Sequence, residues 1–284
     1  MRRSLFLLLA GPSIVVMLAL MAAPLAGGFW LSLHGTTFRG DLRWLGLDNY
    51  AVTFADPDFW TAVSFTLLLC FVTVPLSILL GFIEALLIDS MPGWLRGAVI
   101  AAVLLPFVVT PVVGTLAFSW LFRDFGILTY WLGRLGIHVF WMGSEPASRA
   151  LVMLQWVWAA SPFAAIVLFA GLQTVPAEQL EAASVDGASA WTRLRHVTLP
   201  HLGSIFTFLG VIMVMDAYRA FDSIAVMTKG INGTESVMWY AYRVGILEND
   251  LTRGAAIGFI TVLGIVVLLL PFLWRTWHEQ RGLA

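Results

Sequence analysis

The chain is expected to be an all-α, polytopic membrane protein with about six transmembrane helices. Of its 284 residues 60% are hydrophobic and only 12% are charged, whereas a soluble globular chain carries about a quarter charged residues. Mean hydropathy is +0.87. Six stretches reach or approach the roughly 20 apolar residues that a helix needs to cross a hydrocarbon core. Lipid offers no partner to backbone N–H and C=O groups, so stretches of this kind must satisfy them internally, as helices.

The first stretch runs from Leu5 to Leu33, uncharged throughout though interrupted by Pro12 and Pro24; the second runs from Trp60 to Ile88 and holds Glu84 near its end. The third covers Ala98 to Phe122, with Pro106 and Pro111, and the fourth Ala150 to Leu172 around Pro162. Those three prolines weaken the backbone ladder, so hinges or unwound segments are expected there. The fifth is irregular: apolar from Leu202 to Met215, it meets Asp216-Ala-Tyr-Arg-Ala-Phe-Asp222 before apolar character returns at Ser223 to Thr228. The sixth covers Ala255 to Trp274, and Gly254-Ala-Ala-Ile-Gly258 at its start permits close helix approach. For Glu84, snorkelling or an interhelical hydrogen bond is the expected role.

Arg2 and Arg3 ahead of an apolar run too long for a signal-peptide core imply an uncleaved first helix with a cytoplasmic N-terminus. Six crossings return the C-terminus, with Arg275 and Arg281, to the same side. The full arginine and lysine count is almost balanced between the two faces, Arg39 among the outer group, so orientation rests on the two ends and on the inner-loop motif described below. Three outer loops, Gly35 to Phe59, Arg123 to Arg149 and Lys229 to Arg253, are rich in aromatics; Trp44, Tyr50, Trp131, Trp141 and Trp239 read as an interfacial belt. No repeat or linker divides the chain, which is expected to be one transmembrane domain, 1–284.

Several chemistries are excluded. A net charge of -1 leaves no basic footprint for nucleic acid. Cys70 stands alone, so no disulfide forms within the chain. The histidines at 34, 138, 196, 201 and 278 lack metal-ligand spacing. The only lysine, Lys229, sits in Thr-Lys-Gly, so no phosphate-cradling Gly-x-x-x-x-Gly-Lys-Ser/Thr loop exists. No catalytic group and no cofactor are expected on this chain.

One inner loop, about 173–202, is too long for a turn between neighbouring helices. Pro176 suits a helix start, with Glu178 and Glu181 near the positive end of its dipole. Leu180, Ala183 or Ser184, Ala188 and Trp191 recur every three or four residues as one apolar stripe, Gly187 interrupts, and Pro200 closes the segment. Two short helices with a break at Gly187 are expected. Acids crowd the start and little basic charge follows, so the helix pair suits a protein partner better than a lipid surface.

Glu181-Ala182-Ala183, Asp186-Gly187-Ala188, Trp191 and Thr198-Leu199-Pro200, preceded by Gly171-Leu172-Gln173, Pro176 and Leu180, resemble the signature loop of permease subunits of bacterial binding-protein-dependent ABC importers, in the branch that takes up sugars and glycerol phosphates. Gly46-Leu-Asp-Asn-Tyr50, Asp56-Pro-Asp-Phe-Trp60, Leu105-Pro106, Phe118-Ser-Trp-Leu-Phe122 and Arg253-Gly-Ala-Ala256 are similar to the same branch. Leu194, Gly203 and Ile231-Asn-Gly-Thr234 depart from it. The resemblance implies a type I ABC importer permease fold in the bacterial inner membrane. It also implies a second permease subunit, two copies of an ABC ATPase that hold ATP and Mg, and a periplasmic substrate-binding protein. In that family the loop is a coupling helix seated on the ATPase, here Glu181, Ala182, Ala183, Asp186 and Gly187.

For the substrate path, ionisable groups at membrane depth are informative, because each costs several kcal/mol unless paired or wet. Asp216, Arg219 and Asp222, three apart, would stack on one helical face, where Arg219 can bridge both acids or all three can line a cavity. The resemblance adds mid-membrane positions: Phe107 and Thr110, Trp156, Ser161 and Phe163, and Tyr218, Arg219 and Asp222. Aromatic faces beside carboxylates suit a carbohydrate, and Arg219 points to an anionic one. The alternative is an ion-coupled secondary transporter that uses Asp216 and Asp222.

Overall fold

A computed structural model describes residues 3–36, 41–123 and 125–281; Arg2 and Arg39, used above for orientation, lie outside them. In chain order the elements are α1 (Arg3–Met17), a π turn (Leu18–Ala22), α2 (Ala23–Ser32), β1 (His34–Thr36), β2 (Leu42–Trp44), α3 (Asp48–Ala55), α4 (Pro57–Ser90), α5 (Gly93–Val108), α6 (Pro111–Leu121), α7 (Ile127–Arg134) and α8 (Glu145–Leu172). Then come α9 (Ala177–Val185), α10 (Ala190–Arg193), a π turn (Leu194–Thr198), α11 (Leu199–His201), α12 (Gly203–Tyr218), α13 (Asp222–Met227), α14 (Val237–Tyr242), a π turn (Arg243–Leu247) and α15 (Leu251–Arg281). Among the described residues the only strands form the antiparallel ribbon β1–β2, in which His34 faces Trp44.

Among the described residues five helical segments are long and apolar enough to cross a membrane: Ala10–Ser32, Pro57–Ser90, Glu145–Leu172, Gly203–Met227 and Leu251–Phe272. A sixth is obtained when α5 and α6, bent by 99° at their junction, count as one span. The bend is written in Thr110-Pro111. A residue before proline is pushed out of the helical region, and both Val109 (φ -68°, ψ 135°) and Thr110 (φ -55°, ψ 139°) are extended, with Pro111 opening α6. Pro162 behaves otherwise: α8 runs unbroken through it, and Pro162 is buried. The hinge expected there is absent because the flanking turns are held by packing. Pro106 likewise lies inside a continuous α5.

By contact the chain groups into two compact units, Met1–Trp60 with Tyr240–Gly264, and Thr61–Trp239 with Ile265–Ala284. In the first, Asn49 donates to the carbonyls of Ser32 (2.8 Å) and His34 (2.7 Å), tying α3 to the ribbon, while Gly46 takes φ 60° to turn into that helix. Gly254 of α15 meets Gly245 so closely that a Cβ at 254 would lie 2.6 Å from the Gly245 Cα, whereas Gly258 faces open space. Only the first glycine of that pair therefore serves close approach.

A polar network centres on Asp56 in this unit. Its Oδ1 accepts the Asp58 N–H (2.9 Å) at the start of α4, and its Oδ2 accepts from the Tyr240 hydroxyl (2.8 Å) and from Arg253, which also donates to Tyr240 (2.7 Å). Burial acts to raise the Asp56 pKa, but the Arg253 and Tyr240 hydrogen bonds outweigh it and hold the carboxyl below its usual range. Burial, then the bond to Asp56, push the Tyr240 phenol up.

The second unit holds the main core. Cys70, Val74, Phe82 and Ala85 of α4 interdigitate with Ala164 and Leu168 of α8 and with Leu209, Met213, Ala217 and Tyr218 of α12. Gly81 allows the α4–α8 contact: a Cβ there would sit 2.7 Å from the Ala165 nitrogen. Trp239 and Trp141 belong to buried clusters, Trp239 with Phe65 and Ile224, Trp141 with Phe122. In the first unit, the Tyr50 hydroxyl bonds Ser32. The interfacial-belt reading therefore survives only for the exposed Trp44 and Trp131.

A carboxylate whose folded pKa is depressed contributes stability that is fully present above its unfolded pKa, about 3.9, and is lost as pH falls below it. Asp56→Asn is expected to destabilise the detergent-purified protein by about 1.5–3 kcal/mol at pH 7, the worth of hydrogen bonds to a charged group. The difference from the parent should shrink below about pH 4, as read from unfolding midpoints at both pH values.

Candidate functional site

Two features of the second unit combine exposure with polar organisation. The first is the loop after α8. Helix α9 buries none of its residues, and Val185 and Trp191 are 88% and 66% exposed. Glu181, Ala182, Asp186 and Gly187 are all exposed and Ala183 is half-buried, so four of the five residues expected on this surface lie open on it. The break at Gly187 has a defined form. Gly187 takes φ 78°, its N–H bonds the Ser184 carbonyl (3.1 Å), and the Ala188 N–H bonds the Ala183 carbonyl (2.9 Å). This paired closure, a Schellman motif, needs the left-handed backbone that glycine adopts without a Cβ penalty. Beyond it, the Ser189 hydroxyl caps α10 by accepting the Thr192 N–H, and Arg193 reaches back to the Ser184 hydroxyl. The two short helices are thus locked to each other while their outer faces stay free.

The second feature is a cavity of about 570 Å³. Its walls come from the bend (Pro106, Phe107, Val109, Pro111), from α8 (Gln155, Trp156, Phe163) and from the end of α12 through α13 (Asp216, Arg219, Asp222, Ser223). The bend makes the space, because a straight α5–α6 would carry its side chains past α8 instead of turning them around it. Phe107 and Phe163 stack with centroids 5.6 Å apart. Gln155 donates to the Thr115 hydroxyl (3.0 Å), both groups being buried at the cavity wall.

Five of the eight residues expected at a substrate path, Phe107, Trp156, Phe163, Arg219 and Asp222, line this cavity. Three do not. Tyr218 is 5% exposed and packs in the core with Cys70 and Met213. Ser161, 3% exposed, donates to Glu84 (3.5 Å), the interhelical bond expected for that carboxyl. Thr110 is exposed at the bend but outside the cavity wall. Tyr218 and Ser161 face inward because the helix phase at positions 217–218 and 161 points toward α4, a fact that spacing alone could not reveal.

The stacked triad is also corrected. Helix α12 ends at Tyr218; Arg219 (φ -92°, ψ 15°) and Phe221 (φ -131°, ψ -55°) are off-helical, and Asp222 opens α13. Arg219 bridges Asp216 at 2.7 Å with both side chains more than half exposed, and makes no bridge to Asp222. The Ser236 hydroxyl donates to the Ala220 carbonyl freed by the break (2.6 Å). Gln155, Thr115 and Ser223 were missed in the sequence; the available signal was a hydrogen-bonding side chain inside an apolar run.

Residues 61–281 match the family described as binding-protein-dependent transport system inner membrane component. The trehalose/maltose transport system permease protein MalF of Thermococcus litoralis is 33% identical over 267 residues, covering 92% of this chain and 88% of that protein. The trehalose transport system permease protein SugA of Mycobacterium tuberculosis is 33% identical over 269 residues, covering 94% and 84%. In fold, the chain matches a subunit of a bacterial alginate ABC transporter with TM-score 0.83 at 22% identity, covering 95% and 93%. With spans, bend and inner loop in place, the chain belongs to the family of inner membrane components of binding-protein-dependent transport systems, as a multi-pass ABC importer permease and not an ion-coupled carrier.

Proposed function

We propose that this permease translocates a carbohydrate, and that α9 with its Gly187 turn is the surface through which a separate ATPase drives it. The observation that carries the reading is the loop itself: a nine-residue helix with no buried residue, closed by a Schellman turn, on a chain without a phosphate-cradling loop. A helix this short is marginal alone in water, so its lock through Ser184, Arg193 and the Ala183–Ala188 bond preorganises it for a partner. Ala182 and Ala183 allow close approach, and Glu181 and Asp186 offer acceptors to basic or N–H groups. ATP and Mg would act on two ATPase copies. A second permease, with which a heterodimer forms, and a periplasmic binding protein complete the assembly. Both termini then lie in the cytoplasm of a bacterial inner membrane.

The carbohydrate assignment is supported by relatives named for trehalose/maltose, diacetylchitobiose and sulfoquinovosyl glycerol transport. The cavity suits such a ligand, since Trp156 and Phe163 offer ring faces and Gln155, Ser223 and Asp222 offer hydroxyl partners. Its charge moves the expected substrate away from an anion. Arg219 is already offset by Asp216, and with Asp222 the three ionisable groups of the wall sum to -1.

In a reconstituted transporter, Glu181→Lys or Gly187→Asp should leave the protein in the membrane and abolish ATP-dependent uptake; normal uptake by either variant would remove α9 from the coupling role. Arg219→Gln should leave the ratio of neutral to anionic sugar uptake unchanged. A selective loss of anion uptake by about tenfold, about 1.4 kcal/mol, would restore an anion-binding role to Arg219.

A further inference from the structure

Between α6 and α8 the chain makes a detour. Phe125 is wholly exposed, and α7 follows without burying any residue. Its exposed side chains, Ile127, Leu128, Tyr130, Trp131 and Arg134, with Leu135 just beyond, fall on one arc of about 160° at 100° per residue. Ile127, Leu128, Trp131 and Leu135 fill most of that arc, with Tyr130 and Arg134 together at one edge. The opposite side turns inward, where Thr129 lines a recess of about 270 Å³ with Ile137, His138, Val139 and Phe140. The buried Thr129 hydroxyl has no hydrogen-bond partner among the described residues. The exposed side of this helix is thus largely aliphatic and aromatic, while the Thr129 hydroxyl lies inward, which is not the pattern that water selects.

Two further observations say what covers the outward arc. The preceding α6 also exposes an apolar face, Val112, Val113, Leu116 and Trp120, and just past its end Arg123 stacks on Trp120 at 4.5 Å. Trp and Tyr beside Arg, at the end of a membrane-spanning segment, are the composition of the water–lipid boundary. Because α8 crosses the membrane between α7 and α9, the two helices lie at opposite faces of the bilayer.

We propose that α7 lies flat on the membrane surface opposite α9 as an interfacial anchor for α6, with Ile127, Leu128, Trp131 and Leu135 in the boundary between headgroups and acyl chains and Arg134 at the level of the lipid phosphates. The bend that forms the cavity wall is thereby held at its far end by lipid. The test places the photoreactive residue p-benzoylphenylalanine singly at Leu128, Trp131 or Leu135, and at the inward Leu132 as control. The complete transporter is reconstituted in vesicles of phosphatidylethanolamine and phosphatidylglycerol, irradiated, and adducts are identified by mass. Lipid adducts several-fold more abundant at the three outward positions than at Leu132 are expected. Crosslinks to a second polypeptide at those positions, equal labelling at Leu132, or no lipid adduct would each overturn the proposal. Each position is replaced alone, so one misfolded variant leaves two readable.

Discussion

In hydrocarbon a backbone N–H or C=O without a partner costs several kcal/mol, and the architecture is organised around that constraint. Continuous helix is the default, and each departure is compensated nearby. The π turn at Leu18–Ala22 ends two residues before Pro24, whose missing N–H disturbs the ladder there. At the break after Tyr218 the Ser236 hydroxyl takes up the Ala220 carbonyl. The bend at Val109–Thr110 opens onto the cavity instead of onto packed helices. Irregular backbone and functional space thus coincide, since a cavity is the place in a membrane protein where an unwound segment costs least.

Much of the fold was legible because its signals are strong and local. Apolar runs of about 20 residues are hard to mistake for anything but spans, and Thr110-Pro111 and Gly187 each force a particular backbone. The inner loop was legible for a related reason: small residues, acids and a glycine at fixed spacing serve a surface, and surfaces are written in short sequence. Pro162 shows the limit. The same residue type that marks the α5–α6 bend sits inside straight, buried α8, because surrounding contacts decide whether a weakened ladder opens.

The cavity was only partly legible. Composition could nominate Asp216, Arg219 and Asp222 but not the break between them, since Arg219-Ala220-Phe221 contains neither proline nor glycine; the conformation is imposed by tertiary contacts such as Ser236 on Ala220. Helical phase could not separate Tyr218, which faces Cys70, from Arg219, which faces the cavity, although they are neighbours. The β1–β2 ribbon was invisible because two strands of three residues carry no periodicity to detect.

The network around Asp56 has a consequence for biogenesis. Asp56 and Arg253 are 197 residues apart, so the start of the second span stays without its cation until nearly the whole chain has been synthesised. Loop-closure entropy must be met before such a contact stabilises anything. Spans α4 to α13 can be inserted in order, each satisfied by its own helical bonds, while this corner closes last. Arrival of the final span therefore acts as a completion check: a chain truncated before residue 253 would keep Asp56 and Tyr240 but lose the guanidinium that binds both.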